Sequence, residues 1–134
     1  MYKRQGTERV NLERQAKALN ISHCIQFLGL KANPYPYIKA CTLYVQPSRF
    51  EGKSIAIEEA KFLNKPIVVT NYSSVSDQIS ALQNGYIVEI NPISIAKGIE
   101  FVLSNVDLQY QFKSNLSEEM KAKQTNTVVL TQLF

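Results

Sequence analysis

The sequence predicts an open α/β fold, a parallel sheet covered by helices, and two observations predict it. Short apolar runs alternate along the chain with stretches of helical period, which implies right-handed βαβ crossovers rather than hairpins. The run Ile67-Val68-Val69 also lacks the polar alternation of a strand with one wet face. A strand covered on both sides reads that way. The expected architecture is therefore a Rossmann-like open sheet flanked by helices.

Each element follows from local pattern. Residues 7–19 read as a helix, with Val10, Leu12, Ala16 and Leu19 apolar. Residues 25–29 are a short β-rich run closed by Gly29. Residues 33–40 open as a turn, and Pro36 suits the first position of a short helix, where a missing N–H costs nothing. Residues 42–48 form a second apolar run, ended at Pro47 and Ser48. A helix begins at Ser54, and a covered strand follows over residues 65–70. A short helix near residues 76–82 precedes the turn signal Asn84-Gly85 and a strand over residues 86–90. Residues 92–105 make an amphipathic helix opened by Pro92, and the rest, from Asp107, is helical with a break around residues 125–127.

Composition bounds the function. The chain has 134 residues, 45% hydrophobic and 19% charged, which suits one soluble globular domain. No apolar run approaches the roughly 20 residues of a membrane span, and the first residues lack the apolar core of a signal peptide. The expected location is cytoplasmic. Cys24 and Cys41 have no metal-ligand spacing, and the lone His23 lies in a polar connection, so free buried thiols and a surface histidine are expected. The net charge of +4 is too thinly spread for nucleic-acid binding. It fits a phosphorylated ligand or an anionic membrane surface better.

The stretch "SRFEGKSIAIEEAKFLNKPIVV", residues 48–69, carries the chemistry. In open parallel sheets ligands bind at the carboxyl ends of strands, beside helix N-termini. The order here is strand, loop, Gly52, helix. Unpaired N–H groups and a partial positive charge at that helix start suit a phosphate, and Gly52 allows close approach. Read at 100° per residue, Ile55, Ala56, Ala60 and Leu63 share an apolar face with Glu59 near its middle, while Ser54, Glu58 and Lys61 fall on the wet side. An inward carboxylate without partners is costly. Either sugar hydroxyls of a ligand satisfy Glu59, or backbone donors or a core arginine do.

At these residues the chain resembles the C-terminal domain of group 1 (family 4) retaining glycosyltransferases of the GT-B fold. The signature is a glutamate pair with seven residues between its members, within "PSRFEGKSIAIEEAKFLNKPIVV", here Glu51 and Glu59. The flanking "NPYPYIKACTLYVQPS" and "NGYIVEINPISIAKGIEFVLSN" are similar to capsule and cell-surface polysaccharide members, so the resemblance covers roughly residues 6–105. It implies transfer of a sugar from a nucleotide diphosphate sugar to a saccharide or lipid-linked acceptor, with retention. Glu59 would hold the donor ribose. Glu51 would act beside the transferred sugar as the catalytic carboxylate. Gly52, Lys53, Ser54 and Ile55 would present N–H groups to phosphates and sugar. No metal or cofactor is implied, since positioned charge can stabilise the departing diphosphate.

The chain also departs from the family pattern. Lys53 and Ser54 replace an aromatic residue and glycine, which suggests an added cation at the phosphate. Ser73-Ser74 replace a glycine pair before an acidic position, here Asp77. The resemblance makes residues 1–134 an N-terminally shortened donor domain, with its first strand missing and residues 1–5 foreign. Its expected partner is an N-terminal acceptor domain, in the same or a separate chain, with peripheral contact at the inner face of the cell membrane. Two other readings stay open: a non-catalytic nucleotide-sugar-binding subunit of a split transferase, and a Rossmann-like interaction domain in which Glu59 is structural.

Overall fold

A computed structural model describes residues 5–133, with side chains over residues 8–125. Residues 1–4 of the expected foreign segment lie outside the described residues. The chain forms two compact units, Met1–Pro34 and Tyr35–Phe134.

The first unit opens with α1 (Gln5–Ala18). Asn20 ends it in the left-handed region at φ 56°, and Ile21 and Asn20 donate back to the carbonyls of Ala16 and Lys17, each at 3.0 Å. This is the usual way a helix satisfies its last carbonyls. A short 3-10 turn, Ser22–Cys24, carries an exposed His23. The strand expected over residues 25–29 is absent. Ile25 is extended at φ −117° and ψ 132°, but residues 25–29 join no ladder among the described residues. Extended backbone becomes a strand only where a neighbour pairs its N–H and C=O groups.

The second unit is the expected open sheet. Strands β1 (Tyr44–Gln46), β2 (Ile67–Thr70) and β3 (Tyr86–Val88) run parallel in the order β1-β2-β3. Val45 pairs with Val68, and Val69 with Ile87. Every residue of the central β2 is buried, as its unbroken apolar run requires. The helices are α2 (Tyr35–Ala40), α3 (Ile55–Phe62), α4 (Pro92–Ser104) and α5 (Val106–Leu133). Pro36 stands in the first turn of α2, one residue later than expected.

Two apolar layers sandwich β2. Ile67 and Val69 pack with Ile57 and Ala60 of α3 and with Tyr72, Val75 and Ile79. Val68 and Val88 pack with Val102 of α4 and Phe112 of α5 on the opposite face. At Gly98, an added Cβ would collide with Cγ1 of Val88 and touch the Tyr86 ring. Only glycine lets α4 lie that close to β3.

The structure corrects the expected helix over residues 76–82. A 3-10 turn, Val75–Asp77, is followed by Leu82 at φ 61°. Asn84 Oδ1 takes the amide of Ser80 at 2.9 Å, and a side-chain acceptor of this kind competes with helix formation. Nor does α5 break at residues 125–127. Thr125 Oγ1 donates to the Lys121 carbonyl at 3.0 Å, so its hydroxyl is accommodated on the helix itself. Both cysteines are free, but Cys24 is exposed and Cys41 only half-buried, so neither is the fully buried thiol expected. Among the described residues, no helix is long and apolar enough to cross a membrane.

Helix α5 is fastened to α3 by charge as well as by packing. Lys61, 2% exposed, donates to the Gln78 carbonyl at 2.8 Å and pairs with Glu119 Oε1 at 2.7 Å. Burial pushes the Glu119 carboxyl up, but hydrogen bonds from Lys61, Asn84 and Lys123 outweigh it and hold the group at about 2. A carboxylate depressed in the folded state stabilises the fold above its unfolded value of 4.5 and loses that contribution as pH falls towards about 2. Glu119→Gln should lower stability by about 2 kcal/mol at neutral pH, as loss of a charged hydrogen bond does. Urea titrations should show the gap from wild type closing between these two pH values.

Candidate functional site

Helix α3 starts where the sequence places it. Ser54 is extended at φ −78° and ψ 113°, and its Oγ accepts from the Ile57 amide at 3.3 Å, so it is the N-cap. Gln46, at the carboxyl end of β1, donates to the same Oγ at 3.0 Å. Gln78 reaches across from the β2–β3 connection. Its Oε1 accepts from the Ser54 amide at 2.7 Å, and its Nε2 donates to the Ser54 carbonyl and to Glu58 Oε1, each at 2.9 Å. Nothing local in the sequence marks Gln78 for this role.

The inward face of α3 differs from the expected one. Ile57, Ala60 and Lys61 are buried, while Ile55 is 75% exposed. Both stripes have helical spacing, so the pattern alone does not choose between them. The cap by Gln46 and Gln78 fixes the roll of the helix, and the ion pair with Glu119 makes burial of Lys61 tolerable. Glu58 is likewise not simply solvated. Burial pushes its carboxyl up, but the Gln78 hydrogen bond and the Lys61 and Lys123 charges outweigh that and hold it below the usual range. Glu59 is half-buried, and no described residue donates a hydrogen bond to its carboxylate.

Glu51 sits on the exposed loop before α3, where its Oε1 accepts from Ser48 Oγ at 2.8 Å. Ser74 Oγ donates to the carbonyls of Glu51 at 2.7 Å and Gly52 at 3.2 Å. In a planar trans peptide the N–H points opposite to the C=O. Ser74 therefore turns the amides of Gly52 and Lys53 away from itself. A Cβ added at Gly52 would meet nothing within 4 Å, so the loop is open there. Ser74 thus gives the Ser73-Ser74 pair a side-chain role that sequence reading left unassigned.

Glu51 and Glu59 act on a common neighbour. Burial raises the pKa of the half-buried Tyr44, and the charges of Glu59 and Glu51 raise it further. The Tyr44 hydroxyl donates to Gln46 Oε1 at 3.3 Å. The other expected site residues divide. Glu59 and Ile55 line an open hollow of about 630 Å³ with Tyr35, Phe62 and Met120. Lys53 lines a separate polar hollow of about 590 Å³ with Asp77, Gln78, Asn84 and Glu119. The amide of Ser54, expected to face a ligand, is committed to Gln78. Among the described residues, no group of three or more His, Cys, Asp or Glu side chains is placed to hold a metal ion.

The family model described as glycosyl transferases group 1 matches residues 5–119. An uncharacterized glycosyltransferase of Haemophilus influenzae is 32% identical over 118 residues, covering 85% of this chain and 33% of the relative. The chain thus spans about a third of that curated relative's length. Among solved structures, the C-terminal domain of the group 1 glycosyl transferase LpcC of Francisella tularensis superposes with a TM-score of 0.77 at 24% identity, covering 91% of this chain and 65% of that one. Anabaena HepE in complex with UDP-glucose gives 0.68 at 20% identity, covering 97% and 38%. These likenesses identify the sheet and its helices as the C-terminal half of a GT-B fold.

The clamp on α3 has a measurable hierarchy. Ser54→Ala should cost about 1 kcal/mol, the usual loss for an N-cap. Gln78→Ala should cost more, about 2–4 kcal/mol, because it leaves the buried Ser54 amide without a partner. Chemical denaturation of the two variants tests the order.

Proposed function

The chain belongs to the group 1 glycosyl transferases, and from that membership we propose that it is the donor-binding half of a retaining GT-B enzyme. The observation that carries the reading is the loop at the start of α3. Two amides, at Gly52 and Lys53, are turned away from Ser74 in the stretch of chain between Glu51 and Glu59, and the loop is open at Gly52. Such amides at a helix N-terminus favour the diphosphate of a sugar nucleotide. The Ile55 amide extends the row along the helix start.

Glu59 lacks a donor among the described residues, and ribose hydroxyls supply one. Glu51 then lies beside the transferred sugar. The Ser48 hydrogen bond holds its carboxylate in place, next to charge that develops as the glycosidic bond to phosphate breaks. The Gly52 and Lys53 amides stabilise the departing diphosphate with no reorganisation, which is what the reaction needs. HepE was solved with UDP and with UDP-glucose, which makes a uridine nucleotide the first donor to test. The acceptor-binding half would come from a further domain, in the same or a separate chain, and the donor domain alone would bind without transferring. A hexose donor, a polysaccharide or lipid-linked acceptor, and a cytoplasmic place beside the membrane complete the proposal.

Titration calorimetry with a panel of nucleoside diphosphate sugars should give saturable binding to the wild-type chain. Glu59→Ala should weaken it at least about tenfold, equivalent to roughly 1.4 kcal/mol. An interaction domain with a structural Glu59 would give no saturable heat with any of them. An upstream reading frame encoding only an acceptor half would identify a split enzyme.

A further inference from the structure

Among the described residues, the hydroxyl of Tyr72 is a buried side-chain polar atom that no hydrogen bond satisfies. The side chain is 3% exposed, and its ring packs with Ile57, Ala60, Val69 and Val75 on the α3 side of the sheet. Phenylalanine would fill that space without desolvating a hydroxyl. Buried phenol groups ordinarily find a partner. Packing therefore explains the ring and leaves the oxygen unexplained.

Position supplies the missing argument. Tyr72 stands two residues past the carboxyl end of β2, the central strand, where ligands of open parallel sheets bind. Its backbone is fixed, with its amide donating to the Thr70 carbonyl at 2.9 Å and its carbonyl accepting from Val75 at 3.0 Å. Ser74, two residues on, is the side chain that grips the Glu51 and Gly52 carbonyls. The phenol and the Glu51 loop thus belong to one corner of the fold. Burial raises the Tyr72 pKa, and the charge of Glu51 adds to the effect, which agrees with that placement.

We propose that Tyr72 is a sugar-binding residue whose hydroxyl hydrogen-bonds a hydroxyl of the donor's transferred sugar beside Glu51. The inference rests on the donor-binding reading above and deepens it. Its orphaned state belongs to the free protein, and the bound sugar completes it. The hydroxyl is covered in the free form, so binding entails a local rearrangement that uncovers it. Tyr72 then reads the sugar and not the nucleotide.

Tyr72→Phe tests this. UDP-glucose, GDP-mannose and ADP-glucose are titrated into the wild-type chain and the variant, each beside its free nucleoside diphosphate. The variant should melt no lower than wild type without ligand. It should bind the preferred sugar nucleotide at least about tenfold more weakly while holding the free diphosphate within about threefold. Equal affinity of both proteins for the sugar nucleotide overturns the assignment of Tyr72 alone, and so does a parallel loss for sugar nucleotide and diphosphate. A lower melting temperature of the free variant shows an internal role for the hydroxyl and also overturns it. A wild-type chain that binds none of the six compounds overturns the donor-binding reading beneath it.

Discussion

The grip of Gln78 on Ser54 is the constraint from which the rest of the site follows. One side chain takes the amide of the α3 N-cap, returns a hydrogen bond to the same residue's carbonyl, and reaches Glu58. Its own carbonyl receives the buried Lys61. These bonds fix the rotation of α3, and rotation decides that Lys61 faces the interior while Glu59 and Ile55 face the hollow. A helix of only eight residues has little intrinsic preference for one roll over another. Distant hydrogen bonds supply it.

Much of this was legible because it is local. The apolar run of β2, the start of α3 at Ser54 and the proline opening α4 each depend on residues close in sequence or on period. The parallel direction of the strands followed from the alternation of elements. What was not legible depends on partners far along the chain. Ile55 and Ile57 are equally apolar, and only Gln78 and Glu119, at separations of more than twenty residues, show which one turns inward. Residues 25–29 have strand composition but no paired neighbour, and composition says nothing of pairing. Tyr72 reads as one more core aromatic until its hydroxyl is found without a partner.

The site also shows how a family pattern tolerates substitution. Where relatives of this type carry two glycines, this chain has Ser73 and Ser74, and the second serine orients the peptide planes of the neighbouring loop. Here a side-chain hydrogen bond from Ser74 turns the Gly52 and Lys53 amides away from itself. The glutamates need no such change. Their spacing follows from the loop and the first turns of α3, and both survive as charges felt by Tyr44.

Helix α5 has a mechanical consequence. Its 28 residues extend over about 42 Å at 1.5 Å per residue. The side chains fastening it to α3 end, among the described residues, at Lys123. A displacement along α5 is therefore passed through the Lys61–Glu119 and Lys123–Glu58 pairs into α3, the helix whose N-terminal loop is the candidate site.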